Sequence, residues 1–188
     1  MACEHCITGE ETLGSGKFLS LKQIHYLDRR GVARTWEAAQ RSGVRGAVVL
    51  IAELVPSGKY LLIRQFRPAT GRYVIEFPAG LVDPGETVED TACRELYEET
   101  GYRGTVRRML PMCCSSPGMT GEEFAAARMV IDENANPSNP EQHLEGSEDI
   151  ERFALLPGEI PDFLAQARNR GDAVDGKVEF FFAAAELR

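Results

Sequence analysis

The sequence predicts an α/β protein of the α+β type, in which a mixed β-sheet lies between helices and follows an N-terminal antiparallel β-hairpin module. Three apolar strand patterns precede the first clear helix, and later strands and helices alternate without a strict βαβ rhythm. A chain of 188 residues, 43% of them hydrophobic, is long enough to bury a full core unaided. We expect the hairpin module to cover residues 1–42 and the main domain residues 43–188.

The hairpin is predicted from two polar and apolar strand patterns within 16–40, joined by the turn Asp28-Arg29-Arg30-Gly31. The strongly apolar run GAVVLIAELV at 46–55 then predicts the first core strand. A Pro-Ser-Gly turn follows, and the segments KYLLIRQF at 59–66 and RYVIEF at 72–77 predict the second and third core strands.

The first helix is predicted from about Thr87 to Thr100. Thr87 can cap its start, with Asp90 in the reciprocal position, and Gly101 suits a left-handed stop after the last turn. Beyond it the sequence predicts strands near 103–110, 124–131 and 150–156, a helix from Glu159 to about Asn169, and a last segment, KVEFFFAAAELR, that forms a helix or a strand leading into one.

Charge and hydropathy limit the classes of partner. Asp and Glu outnumber Lys and Arg by 29 to 21, and this net charge of −8 argues against a nucleic-acid-binding protein. No window approaches the ~20 apolar residues of a membrane span, and the first residues lack a signal-peptide pattern. We therefore expect a cytoplasmic protein that does not bind membranes. An anionic ligand would need metal ions or a few well-placed arginines.

The five cysteines are expected to be reduced thiols, because their number is odd and no export signal is evident. Cys3 and Cys6 form a CxxC pair, which is half of a zinc site. The adjacent Cys113 and Cys114 cannot supply a second pair of that spacing, so incidental thiols are the better interpretation.

The first helix carries an unusual placement of acidic side chains. At about 100° per residue, Glu95 and Glu99 project into the same sector as the apolar Val88 and Ala92. Carboxylates grouped on a face that turns toward a core or cleft would repel one another unless a cation compensates them. Hard oxygen ligands one helical turn apart suit Mg²⁺ or Mn²⁺, which accept phosphate oxygens as further ligands.

The segment PAGLVDPGE at 78–86, just before this helix, supports a metal–phosphate site. Gly80 and Gly85 flank a proline turn and allow close approach of the backbone to a ligand, and the carbonyl of Ala79 could face the metal. Arg94 is interpreted as an internal partner that orients a neighbouring carboxylate.

Residues 80–102, GLVDPGETVEDTACRELYEETGY, resemble the Nudix box at every fixed position: Gly80, Glu86, Arg94-Glu95-Leu96, Glu98-Glu99, Gly101 and the apolar Tyr102. The resemblance implies an α/β/α sandwich with a mixed sheet. It also implies Mg²⁺-dependent hydrolysis of a nucleoside diphosphate linked to another group, with Mn²⁺ as a possible substitute.

The surroundings of the box resemble the ADP-ribose pyrophosphatase branch of Nudix hydrolases. Pro117 lies 15 residues beyond Tyr102, and RTWEAAQR, QFRPATGRYVIEFPAG and SEDIERF are also similar to that branch. The resemblance implies hydrolysis of ADP-ribose, or a related nucleoside diphosphate sugar, to AMP and ribose 5-phosphate. It further implies a homodimer in which the N-terminal hairpins are exchanged.

Site residues follow from the same resemblance. Its metal set is Glu95, Glu98 and Glu99 with the carbonyl of Ala79. Its substrate set is Trp36 for the base, Arg41 and Arg67 for the diphosphate, Glu76 and Leu81 beside the ribose and metal, and Pro117 and Gly118. The general base is expected on the acidic stretch 141–151, where Glu148 is preferred and Glu145 and Glu151 are alternatives; His143 could also take protons.

Other interpretations remain open at this point. Trp36 could be a core anchor, and Arg41 and Arg67 could be ordinary surface charges. The substrate could be UDP-glucose, GDP-mannose or NADH. A nucleotide-sensing module without turnover would be expected to lack some of the helix carboxylates, whereas Glu95, Glu98 and Glu99 are all present.

Overall fold

The computed structural model describes residues 6–43, 46–146 and 148–186. These residues form two compact units. The first comprises the chain up to Gly46 together with Met112–Phe124, and the second comprises Ala47–Pro111 and the chain from Ala125 onward. The predicted domain boundary at residue 42 stays a prediction. Residues 112–124, which it assigns to the main domain, group with the hairpin in the first unit.

The first unit contains a three-stranded antiparallel sheet of β1 (Cys6–Ser15), β2 (Leu19–Leu27) and β3 (Ala33–Arg41). The turn between β2 and β3 lies where the sequence predicts it, because the Asp28 carboxylate accepts the backbone N–H groups of Arg30 and Val32. Gly31 takes a left-handed φ of 72° there. Strand β1 was not predicted, since its side chains are almost all exposed and carry no apolar alternation.

The second unit is built on a larger mixed sheet. Its strand order is β12-β6-β5-β4-β10-β8, with β11 on β5 and β7 on β4. Strand β12 runs parallel to β6, whereas β5 pairs antiparallel with β4, β6 and β11, which confirms the predicted mixed sheet. The strand bounds are β4 (Ala47–Val55), β5 (Lys59–Arg67), β6 (Arg72–Glu76), β7 (Ala79–Leu81), β8 (Thr105–Met109), β10 (Glu123–Asp132), β11 (Ile150–Leu155) and β12 (Ala173–Val174). Strand β9 (Cys113–Cys114) belongs to the first unit, where it pairs with Glu123 and Phe124 at the start of β10.

Helix α1 (Val88–Thr100) begins and ends as predicted. The Thr87 hydroxyl oxygen accepts the Asp90 backbone N–H at 3.1 Å, and Gly101, with φ 74°, donates its N–H to the Tyr97 carbonyl. A 3₁₀ turn at Pro157–Glu159 leads into α2 (Ile160–Asn169), and the last segment forms α3 (Gly176–Glu186). No helix in the described part of the chain is long and apolar enough to span a membrane.

Helices cover both faces of this sheet, because successive strand residues point to opposite sides. On one face, Leu50, Ala52 and Leu54 of β4 are buried in a cluster with Ala92 and Leu96 of α1. On the other face, the rings of Tyr60 and Phe77 meet Phe181 and Phe182 of α3 at centroid distances of 5.5 to 5.9 Å. The architecture is therefore a sandwich of helix, mixed sheet and helix.

Candidate active site

The start of β7 and the last turn of α1 lie against each other. The backbone N–H of Ala79 donates to the Glu99 carboxylate at 3.0 Å. At Gly80, an added Cβ would come within 1.8 Å of the Glu95 carboxylate, so any larger residue would require the Glu95 side chain to move. The immediate neighbour of Gly80 is therefore a helix glutamate, and the predicted close approach of this backbone to a ligand stays a prediction.

Glu99 is buried and Glu95 is partly buried, with its side chain 13% exposed, on the face of α1 that also carries Ala92, as the helical period predicts. Burial raises the pKa of Glu99 to about 8, against the Ala79 hydrogen bond that lowers it, and the charges of Glu95 and Glu148 add to the rise. Burial also raises the pKa of Glu95, although Arg94 opposes this. At both carboxylates the effect of burial outweighs the opposing charge of the nearby arginines, Arg94 at Glu95 and Arg67 at Glu99.

Arg94 organises the carboxylates around it. Its guanidinium donates to Glu86 at 3.0 Å and to Glu95 and Glu98 at 2.9 Å each. The Arg94 hydrogen bond is the main reason that the pKa of Glu86 is lowered. The predicted role of Arg94 as an internal partner is therefore present in the structure, and it engages three carboxylates at once.

A cavity of about 380 Å³ opens beside these groups. It combines acidic side chains from α1 and from the loop before β11 with the backbone of β7. Its walls are formed by Gln65, Arg67, Ala79, Gly80, Leu81, Asp83, Arg94, Glu95, Glu99, Glu145 and Glu148. Glu98 is not among the lining residues.

Arg67, at the end of β5, stands at the wall of this cavity with a fixed orientation. Its guanidinium makes a bidentate ion pair with Glu76, with N–O distances of 2.7 and 2.9 Å, and Glu76 is buried. The Arg67 side chain remains 42% exposed. The pair thus presents a held but accessible guanidinium, which is the group that recognises phosphate oxygens.

The three candidates for the general base are placed differently. Glu145 and Glu148 both line the cavity, and the Glu145 backbone N–H donates to the Glu148 carboxylate at 2.9 Å. Glu151 instead forms an ion pair with Arg64 at 2.8 Å and does not line the cavity. Position therefore favours Glu148 and Glu145 over Glu151.

Two residues, Gln142 and His143, anchor the loop before β11, a role that the sequence pattern did not identify. The Gln142 side-chain amide donates to the carbonyls of Glu99 at 2.6 Å and Ile150 at 3.1 Å, and the His143 backbone N–H donates to the Glu98 carbonyl at 2.8 Å. The imidazole ring of His143 stacks on the ring of Tyr97 with centroids 4.3 Å apart, so the His143 side chain packs against α1. The contacts with Glu99, Glu98 and Tyr97 span more than 40 positions of sequence, and no local sequence pattern predicts them.

The remaining predicted residues belong to the first unit. Trp36 is 50% exposed, so its interpretation as a core anchor is wrong. Its indole N–H donates to the Gly118 carbonyl at 3.3 Å, and Pro117 lies with it along a shallow cavity. Arg41 forms an ion pair with Glu122 at 2.8 Å. The Cys3–Cys6 pair falls partly outside the described residues.

The carboxylates fit an oxygen-ligated divalent cation in their chemistry. In the ranges that the structure describes, no three acidic, histidine or cysteine side chains converge closely enough to hold an ion as they stand, and Arg94 occupies oxygens of Glu95 and Glu98. Glu95, Glu99 and Glu148 nevertheless repel one another around one cavity, and a cation there would relieve the repulsion.

Comparison with known proteins gives one consistent family. Residues 44–166 match the model of the NUDIX domain. An uncharacterized Nudix hydrolase of Schizosaccharomyces pombe is 38% identical over 88% of this chain and 84% of its own. An ADP-ribose pyrophosphatase of Saccharomyces cerevisiae is 35% identical, covering 87% and 74%, and an ADP-sugar pyrophosphatase of Mus musculus is 36% identical, covering 62% and 57%. A crystal structure of an ADP compounds hydrolase has the same fold, with a TM-score of 0.65 and 20% identity over 87% of this chain and 84% of that one.

Proposed function

Because this chain belongs to the NUDIX domain family of hydrolases, we propose that it cleaves the pyrophosphate bond of ADP-ribose or a related ADP-sugar, with Mg²⁺ as its metal. The observation that carries the proposal is the pair of carboxylates, the buried Glu99 and the partly buried Glu95, on one turn of α1 beside a cavity that is also lined by Arg67 and Glu148. The yeast and mouse relatives named as ADP-ribose and ADP-sugar pyrophosphatases support this substrate class.

The metal would be held by Glu95 and Glu99, with Glu98, the Ala79 carbonyl and the acidic loop as further oxygen donors. A bound divalent cation would draw charge from the phosphoryl oxygens and lower the pKa of a water molecule that attacks phosphorus. Arg94 would keep Glu86 and Glu98 oriented while the cation replaces it as the partner of Glu95.

The residues of the chain itself would bind the substrate and move the proton. Arg67, held by Glu76, would bind the diphosphate together with Arg41, and Leu81 would lie beside the ribose. Glu148 would accept the proton of the attacking water. The water oxygen joins one phosphorus, the bridging P–O bond breaks, and AMP and ribose 5-phosphate leave.

The nucleoside side of the site is assigned to the first unit. Trp36 would stack on the adenine, because its ring is half exposed and its N–H is fixed on Gly118 next to Pro117. A homodimer with exchanged N-terminal hairpins would bring this unit to the site of a second chain. The exposed Ile7, Phe18 and Leu19 support such a partner surface on the first unit.

The test is product analysis with Mg²⁺ by chromatography, using ADP-ribose, UDP-glucose, GDP-mannose and NADH in parallel. We expect AMP and ribose 5-phosphate from ADP-ribose, and loss of turnover in Glu99→Gln. Glu89→Gln is the matched control, because Glu89 is an exposed glutamate of the same helix.

Equal turnover in Glu99→Gln and wild type would remove α1 from the chemistry. Preferential cleavage of UDP-glucose, GDP-mannose or NADH would support the proposed pyrophosphate hydrolysis and contradict the proposed ADP-ribose substrate. Tight nucleotide binding without turnover of any compound would identify a sensing module instead.

A further inference from the structure

A second cavity of the same unit lies on the sheet face opposite α1. Ile51 and Glu53 of β4 alternate with residues packed against α1 and so point to this other face. The cavity measures about 340 Å³, and its wall combines three arginines and one glutamate with apolar side chains and a tyrosine. Its lining residues, which we call the arginine groove, are Ile51, Glu53, Tyr60, Arg107, Arg108, Arg128, Met129 and Val130.

The three guanidinium groups are crowded by strand register. Arg128 of β10 lies directly opposite Arg108 of β8, and Arg107 occupies the register shift between the pairs formed by Arg108 and Val106. Like charges directly opposite each other on paired strands destabilise a sheet. The bulge at Arg107 adds a third positive charge to the same groove.

These arginines differ from others of the unit in their partners. Arg64, Arg67 and Arg94 each contact a carboxylate at 3.0 Å or less. Among the described residues, no carboxylate lies within 4.0 Å of the guanidinium of Arg107, Arg108 or Arg128. Glu53 lines the groove and forms no ion pair with any residue that the structure describes, so the groove lining contributes three positive charges and one negative charge.

We propose that the arginine groove binds a phosphate dianion, either inorganic phosphate or the phosphate of a monoester such as a nucleotide. Guanidinium groups match phosphate oxygens in bidentate geometry, and an anion between Arg108 and Arg128 relieves their repulsion. The chain has a net charge of −8, so the three clustered arginines create a local positive potential that attracts an anion. The site is separate from the carboxylate cavity, since the two share no lining residue.

The experiment is a methyl-NMR titration of the full chain in metal-free buffer with chelator. Inorganic phosphate, AMP and adenosine are added separately, and KCl matches the ionic strength. We expect saturable shifts of the Ile51 and Val130 methyl groups with phosphate and AMP, and none with adenosine or KCl. If the methyl shifts saturate with phosphate and not with AMP, the ligand of the groove is inorganic phosphate. If they saturate at a lower concentration of AMP than of phosphate, the ligand is a phosphate monoester.

Two kinds of variant report on the charges. Arg108→Gln combined with Arg128→Gln should weaken the phosphate affinity about 10-fold or more, because charge-assisted hydrogen bonds are lost. Glu53→Gln should strengthen it, because a repulsive carboxylate is removed. Arg72→Gln, at an exposed arginine outside the groove, is the control and should leave it unchanged.

The proposal is overturned if the Ile51 and Val130 shifts are reproduced by KCl or persist unchanged in the double variant. It is also overturned if AMP shifts only Leu81, in the carboxylate cavity. If loss of methyl dispersion shows that the double variant does not fold, the phosphate affinities of Arg108→Gln, Arg128→Gln and Glu53→Gln test the proposal by the same criteria.

Discussion

At the scale of single residues, Glu99 departs furthest from an ordinary surface glutamate. Burial raises its pKa from 4.5 to about 8, so the folded protein binds the proton more tightly than the unfolded chain. The stabilisation from that proton is complete below pH 4.5 and is lost as the pH rises toward 8. A cation that binds the ionised form must displace this proton, which couples metal affinity to pH.

We therefore expect the rise in melting temperature caused by Mg²⁺ to grow between about pH 6 and pH 8.5, because less proton is displaced at high pH. In Glu99→Gln this growth should be largely absent, while Glu89→Gln should behave like wild type. Differential scanning calorimetry with and without Mg²⁺ at several pH values measures this rise in melting temperature. A pH dependence that survives unchanged in Glu99→Gln would contradict the assignment of the proton to this residue.

Glu148 and Glu145 are distinguished by a pair of kinetic measurements. If Glu148 takes the proton of the attacking water, Glu148→Gln should lower kcat by roughly 10² to 10⁴ with little change in KM. Glu145→Gln should lower kcat much less, because the Glu145 backbone N–H that donates to the Glu148 carboxylate is retained. A greater loss in Glu145→Gln would transfer the role to that residue.

Trp36 offers the complementary measurement on substrate binding. Trp36→Ala should raise KM for ADP-ribose much more than it lowers kcat, because stacking contributes equally to the ground state and the transition state. Trp36→Phe, which keeps an aromatic face and loses the bond to Gly118, should be intermediate. An unchanged KM in Trp36→Ala would show that the exposed ring does not contact the nucleoside.

Some of these residues could be placed from sequence and others could not. The inward direction of Glu95 and Glu99 follows from the helical period, and the structure confirms it. The same period places Glu98 at the flank, and its pairing with Arg94 away from the cavity wall became visible only with the structure. Gln142 was unpredictable, because its two carbonyl partners are set by tertiary packing.

At the scale of elements, the loop before β11 is tied to the C-terminal turn of α1. The carbonyls of a last helical turn have no partner within the helix. Gln142 and the His143 backbone satisfy those of Glu99 and Glu98, and the Arg152 guanidinium satisfies that of Thr100. The helix that carries the proposed metal ligands and the loop that carries the proposed base are thereby held as one piece.

Gln142→Ala should loosen this connection and lower kcat by about 10- to 100-fold with KM nearly unchanged, because small displacements of a reacting group are costly. In Gln142→Glu, whose carboxylate cannot donate to the carbonyls, kcat should fall by a similar factor. In His143→Ala, which retains the backbone hydrogen bond to Glu98, kcat should fall less. Steady-state kinetics with a melting curve for each variant measure this. A fall in melting temperature with kcat intact would assign Gln142 a purely structural role.

Elements differed in how far sequence could define them. Helix α1 was predictable to the residue because Thr87, Asp90 and Gly101 act within one turn of its ends. Strand β1 escaped prediction because its partner β2, and not burial of its own side chains, holds it in place. Strand β7 is only three residues long, and its pairing with β4 is a tertiary contact.

At the scale of the whole molecule, exposed apolar surface on the first unit supports the proposed homodimer. Ile7 is 72% exposed and Phe18 63% exposed, and both belong to the three-stranded sheet region, as does the half-exposed Trp36. Surfaces of this kind are usually covered by a partner. We expect light scattering coupled to size exclusion to give twice the 20.8 kDa of the chain.

Replacing Ile7 and Phe18 together by Asp should place charges in the dimer interface and shift the mass toward 20.8 kDa. Phe180→Asp is the matched control, because Phe180 is equally exposed at 75% but lies on α3 of the other unit, so its variant should remain dimeric. If the exchanged hairpins complete the site, dissociation should also raise KM for ADP-ribose, as Trp36→Ala does. A wild-type mass of one chain, or a dimer indifferent to both aspartates, would place the nucleoside site within a single chain.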